Sequence, residues 1–155
     1  MNGLYQSDYY VWAHRQAGLL RSGDFAQLDL EHLAAEVLDL AQQQCNELSW
    51  HVNKLLHYFL KSALYPERVS GRWLSKLYRH RRWIRKLVHE MPTMAPLLDG
   101  YINTAYTKTA ERLTAKARLP RSAFPEQLAY TKEQLLEQDF MPWTTISPTS
   151  TTPTR

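Results

Sequence analysis

The stretch DLEHLAAEVLDLAQQQCNELSWHVNKLLHYFLKSALYP, running from Asp29 to Pro66, decides the fold. Neither proline nor glycine interrupts it, and its apolar residues recur at helical spacing. Ala34, Val37, Ala41, Leu48, Val52, Leu55 and Phe59 follow three- and four-residue steps, which place them on one face of an α-helix. Gln44 is the polar break in that face. Asp29 can cap the first free N–H groups, and Leu28 and Leu33 have hydrophobic-staple spacing around it. At the far end Tyr65 precedes Pro66, and a residue before proline is pushed out of α geometry. The reading is one helix from Leu30 to about Ala63. Such a helix measures about 50 Å at roughly 1.5 Å per residue, more than the radius of a compact chain of 155 residues. Part of the stripe is therefore expected to pack against a second copy, making a homo-oligomer.

Upstream, Ser7 can cap a first helix reaching Ser22, with Tyr9, Trp12, Ala13, Leu19 and Leu20 on its apolar side. Gly23 suits the left-handed position past its end. Downstream, a third helix from about Arg72 to Met91 turns Trp73, Leu77, Ile84, Leu87, Val88 and Met91 inward and stops at Pro92. Thr93 can cap a fourth, whose first turn holds Pro96, where a missing N–H costs little. Leu98, Ile102, Ala105, Leu113 and Ala117 carry that helix towards Leu119-Pro120. Thr131-Lys132-Glu133-Gln134 has capping-box form ahead of a short fifth helix ending near Gln138. From Thr144 onward the chain is Thr, Ser and Pro with almost nothing to bury, so disorder is expected there. No strand-like alternation and no internal repeat occurs.

These elements add up to an all-α fold, a helical bundle of four main helices plus a short C-terminal helix with a long central second helix. It is read as a single domain over residues 1–143, with a tail over 144–155. The hydrophobic fraction of 44% is ordinary for a globular chain. No apolar run approaches the roughly 18 residues of a membrane-spanning helix, and the N-terminus lacks the basic-then-apolar order of a signal peptide. Cys45 has no partner for an internal disulfide, and a reducing cytoplasm is the expected location.

Charge is segregated along the chain. Between Ser22 and Asn53 stand Asp24, Asp29, Glu31, Glu36, Asp39 and Glu47, with no Lys or Arg. Between Arg68 and His89 stand Arg68, Arg72, Lys76, Arg79, Arg81, Arg82, Arg85 and Lys86, with no carboxylate. Arg72, Lys76, Arg79, Arg82 and Lys86 share one face at four- and three-residue steps. One reading is a phosphate-tracking, nucleic-acid-binding surface on which Trp83 or Tyr78 stacks on bases. The other sets this basic face beside the acidic one, within the bundle or across a dimer, where such pairs fix register and partner choice more than affinity. The second is the better supported, since no DNA-reading motif is present.

Two pairs, His32 with Glu36 and Glu47 with His51, each place an imidazole and a carboxylate one helical turn apart, with His14 and Asp39 able to supplement them. Di-iron bundles need Glu-x-x-His at three-residue spacing, which neither pair has, and His-Glu-x-x-His is absent. No metal or other cofactor is expected. Cys45, beside the apolar seam, reads as packing, and no Gly-x-Ser-x-Gly elbow or Gly-rich phosphate loop occurs. No catalytic residue is assigned.

Over roughly Tyr5 to Trp143 the chain resembles the bacterial family catalogued as domain of unknown function 29. Asp8-Tyr9-Tyr10 with Trp12 and Leu19-Leu20-Arg21 carry the likeness, followed by Phe25, Leu28-Asp29, Leu33 and Glu36. Lys61, Pro66-Glu67-Arg68, Trp73, Arg81, Pro92, Phe124-Pro125, Tyr130-Thr131, Glu133-Gln134-Leu135-Leu136 and Asp139-Phe140 complete it. The chain departs from the family pattern at Tyr58, where His is frequent, and at Ala129, where Pro is frequent. The resemblance implies a helical fold and a prokaryotic origin, and brings no activity with it. The function expected is therefore non-enzymatic, binding of a protein partner or self-association. Nucleic-acid binding through the third helix is the alternative, and a metal-dependent enzyme comes third.

Overall fold

Asp29 and Pro66 do bound the central helix. The computed structural model describes residues 3–142. Its helices are α1 (Gly3–Ser7), α2 (Tyr9–Ser22), α3 (Leu30–Leu64), α4 (Gly71–Glu90), α5 (Ala95–Ala117) and α6 (Lys132–Leu136), joined in part by single 3-10 turns. No strand occurs among the described residues, and the fold is an all-α helical bundle. The expected tail over 144–155 lies outside the described residues. The chain divides into two compact units, with the division between Cys45 and Asn46 inside α3.

In the first unit, Asp29 fastens the start of α3. Its carboxylate accepts from the His32 N–H (3.4 Å) and from the Trp12 indole N–H (3.1 Å), and its own N–H donates to Gln16 (2.9 Å). That last bond explains why Gln16, 5% exposed, lies inward beside Trp12. The expected cap at Ser7 is corrected: Ser7 ends α1, and Asp8 caps α2 by accepting from the Val11 N–H at 3.1 Å. Tyr9 and Leu20, read as inward, are about half exposed instead. Gly23 takes the left-handed conformation past α2, with φ 78°.

In the second unit the α3 stripe becomes a core. Leu48, Val52, Leu55, Leu56 and Phe59 are at most 1% exposed, and Leu77, Ile84, Leu98, Ile102, Ala105 and Leu113 from α4 and α5 are buried as well. Thr93 does not cap α5. A 3-10 turn over Pro92–Met94 runs straight into it, and the residue at its N-cap is Met94, which makes no side-chain cap bond. The chain leaves α5 through Arg118 at φ 55°, while Leu119 N–H reaches back to Thr114 C=O (2.9 Å). The Thr131–Gln134 capping box forms in both directions, at 3.2 and 3.0 Å, and α6 then ends at Leu136, two residues before the expected point.

Candidate functional site

Ser70 starts α4 by accepting from the Trp73 N–H, and 20 residues of helix follow. With Leu77, Ile84 and Leu87 held in the core, the cations are left on the opposite arc. Arg72, Arg79, Arg82, Arg85 and Lys86 are exposed. A groove of about 1130 Å³ gathers Arg79, Arg82 and Lys86 with Arg85, Tyr78 and His89. Arg72 and Lys76, grouped with them on the helical face, do not line it. Lys76 instead places its ammonium 5.3 Å from the centre of the Tyr58 ring. Lys86 reaches Glu90 at 3.7 Å. Among the described residues, Arg72, Arg79, Arg82 and Arg85 have no carboxylate within 4.0 Å. Tyr78 remains at the groove. Trp83 does not, since its ring stacks on His51 with centroids 3.8 Å apart and planes at 1°.

Arg81 stands apart from the other cations. It is 1% exposed and donates to three main-chain carbonyls, Leu135 (2.7 Å), Gln138 (2.7 Å) and Phe140 (2.6 Å). Its guanidinium lies 5.9 Å from the Phe59 ring centre. Burial pushes its pKa down to about 10, against the raising influence of Tyr78, Asp139 and Glu137, so it stays charged at neutral pH. The residue thus fastens the last turn of α6 and the chain that follows it. The available signal was its place four residues after Leu77 and three before Ile84, at the edge of the apolar arc.

Behind the basic arc lies a ring cluster. His51 and His80 face each other with Nδ1 atoms 3.0 Å apart, so one ring donates and the other accepts. Trp50 and Trp83 border His51, while Tyr58 stacks on His80. Burial pushes both imidazoles down to about 4, helped at His51 by Arg79 and at His80 by its partner His51.

The sequence-suggested ligand pairs are divided among other tasks. His32 bonds Asp29 (Nδ1–Oδ2 2.7 Å), not Glu36. Glu36 accepts from the Tyr5 hydroxyl (2.7 Å) and the Tyr9 hydroxyl (2.8 Å), which hold its carboxyl below the usual range. The Tyr5 phenol is correspondingly pushed up to about 12, chiefly by that bond. Burial alone would raise Asp29, but the bonds from His32 and Trp12 outweigh it and the carboxyl lies low. Among the described residues no group of three His, Cys, Asp or Glu side chains is placed to hold a metal ion.

One apolar surface is left open. Leu30, Val37, Leu38 and Leu40 are between 60% and 70% exposed, although Leu30, Val37 and Leu38 lie on the helical face that Leu48 and Phe59 occupy further along α3. Ala34 and Ala41, on the same face, are exposed too. Among the described residues no helix is long and apolar enough to cross a membrane.

A bundle of long amphipathic helices, one of them with part of its apolar face uncovered, defines the class. Residues 4–141 match the model of the family described as "Domain of unknown function DUF29", and the chain belongs to that family. No curated protein and no solved structure matched the chain.

Proposed function

We propose that this chain is a non-enzymatic, cytoplasmic helical interaction protein that works by self-association, a second copy packing on the open stretch of α3. The observation that carries this reading is the exposure of Leu30, Val37 and Leu38 on a face that is core from Leu48 onward. Covering each such side chain contributes about 1–2 kcal/mol, and both copies contribute. Of the carboxylates of this stretch, Glu36 is engaged by Tyr5 and Tyr9 and Asp39 falls on the opposite side of the helix, while Glu31, seven residues before Leu38, stands at the rim of the open face. Light scattering at micromolar concentration is expected to find a dimer or larger species. Val37→Asp with Leu38→Asp should reduce it to a monomer with unchanged helical content. A wild-type monomer at that concentration removes the reading.

A second reading is supported by α4, whose Arg79, Arg82 and Arg85 have no carboxylate within 4.0 Å among the described residues. In it the groove binds nucleic acid through the backbone phosphates. With Arg79, Arg82, Arg85 and Lys86 each meeting one phosphate of duplex DNA, log K should fall with log salt at a slope of roughly −3.6. Arg79→Glu with Arg82→Glu should abolish binding. Weak binding that salt does not change counts against this reading.

A further inference from the structure

A separate groove of about 660 Å³ lies between α3 and α5. Ser49, Asn53 and His57 stand at four-residue steps along one side of α3, and Arg112 and Lys116 stand one turn apart on α5. Lys54 and Trp50 line it too. No carboxylate is part of the lining, and none lies within 4.0 Å of Lys54, Arg112 or Lys116 among the described residues. Three cations gathered without an anion repel one another, and a bound anion relieves that repulsion.

His57 gives independent support. Its Nδ1 is buried and has no hydrogen-bond partner among the described residues. Burial pushes its pKa down to about 4, and Arg112, Lys61, Lys54 and Lys116 press it the same way. The imidazole is therefore neutral, with one nitrogen able to donate, in a positive field. A buried polar atom left without a partner is uncommon in a folded chain and calls for an explanation. Nothing in the self-association or α4 readings uses it.

We propose that this groove binds a multiply charged phosphate anion of the nucleoside di- or triphosphate class. Arg112 offers a planar fork that matches phosphate oxygens, and Lys54 and Lys116 add point charges. The Ser49 hydroxyl adds a hydrogen bond, and the neutral His57 ring adds another once its covered Nδ1 is opened to the ligand. The Trp50 ring, 53% exposed, supplies a face for a base, with the Lys54 ammonium 5.6 Å from its centre. A simple dicarboxylate uses the cations and leaves the indole idle.

Isothermal titration of the full chain with ADP, and separately with pyrophosphate, tests this at low ionic strength. ADP is expected to bind with Kd on the order of 0.1 mM. Arg112→Gln with Lys116→Gln should weaken it at least tenfold while circular dichroism and Tm stay as in the wild type. Arg79→Glu with Arg82→Glu, in the α4 groove, should leave ADP binding unchanged. Binding should also move the His57 ring resonances in NMR spectra and raise the pKa of that residue. If Trp50→Leu weakens ADP and not pyrophosphate, the ligand is a nucleotide. Equal affinity for the two would overturn the assignment to a nucleotide, as would the absence of heat with either probe at millimolar concentration. Affinity that the Arg112/Lys116 variant leaves intact overturns the site itself.

Discussion

Replacing Arg81 by methionine is expected to destabilise the second unit by about 3–5 kcal/mol, since three carbonyls each lose a charge-assisted bond contributing about 1–2 kcal/mol. Methionine restores the bulk but none of the donors, so the carbonyls of Leu135, Gln138 and Phe140 lose their bonds to this side chain. Those carbonyls belong to the main chain and cannot be mutated away, which is why an apolar substitute brings no compensating gain. Arg81→Lys should recover only part of the loss, because one ammonium cannot reproduce the planar spread of Nε, Nη1 and Nη2. Chemical denaturation measures the effect as a lower midpoint at unchanged slope. A loss below about 1 kcal/mol would show that the three bonds count for no more than exposed ones. Arg79→Met and Arg82→Met, on the exposed arc of the same helix, are the controls and should cost within about 0.5 kcal/mol.

Stability should also fall as pH is lowered from 7 to 5. His51, His57 and His80 have folded pKa values pushed down to about 4, from an ordinary 6.5. Between those two values the unfolded chain binds protons that the folded one does not, so unfolding becomes more favourable as pH drops. The stabilisation from keeping these rings neutral is complete above the ordinary value and is lost as pH falls towards 4. His51 and His57 keep some solvent contact, while His80 is 2% exposed and faces His51 across 3.0 Å; each ring accounts for roughly 1 kcal/mol by pH 5, and the three together for about 2–3 kcal/mol. The His51–His80 contact sharpens the effect, because two protonated rings would set N–H against N–H across 3.0 Å. Urea midpoints at pH 7, 6 and 5 check this, and His51→Phe with His80→Phe should flatten the profile. A wild-type profile flat over that range rules the explanation out. The first unit behaves differently. Asp29 and Glu36 have lowered carboxyl pKa values, so what they contribute persists above the ordinary carboxylate range and is lost only as pH falls through the folded values.

The parts of the fold that could be read from the sequence are those fixed by local chemistry. Asp29 and Pro66 bound α3 because capping and proline sterics act within a few residues, and the Thr131–Gln134 box is equally local. The short helix α1 was missed because five residues carry little periodicity, and Tyr5 is tied down by Glu36, 31 positions away. Segregation of charge was plain, yet it could not distinguish the one buried arginine from its exposed neighbours. Arg81 does belong to the pattern that carries the family resemblance, whereas Arg79 and Arg82 do not. The His51–His80 pair joins residues 29 positions apart and has no one-dimensional signature. The groove around His57 depends on α5 coming alongside α3, and spacing within either helix does not announce that meeting.

The Arg81 bonds also set an order of events during synthesis. Their acceptors follow it by 54 to 59 residues, so at 5–20 residues per second the ribosome needs roughly 3 to 12 s to deliver the last of them. Glu36, by contrast, emerges soon after Tyr5 and Tyr9, and the bonds of the first unit can form early. Until Leu135 emerges, the guanidinium has no native acceptor among these carbonyls, and the set is complete only with Phe140. The second unit is thus completed late in translation, by the closing of one long loop on a single side chain.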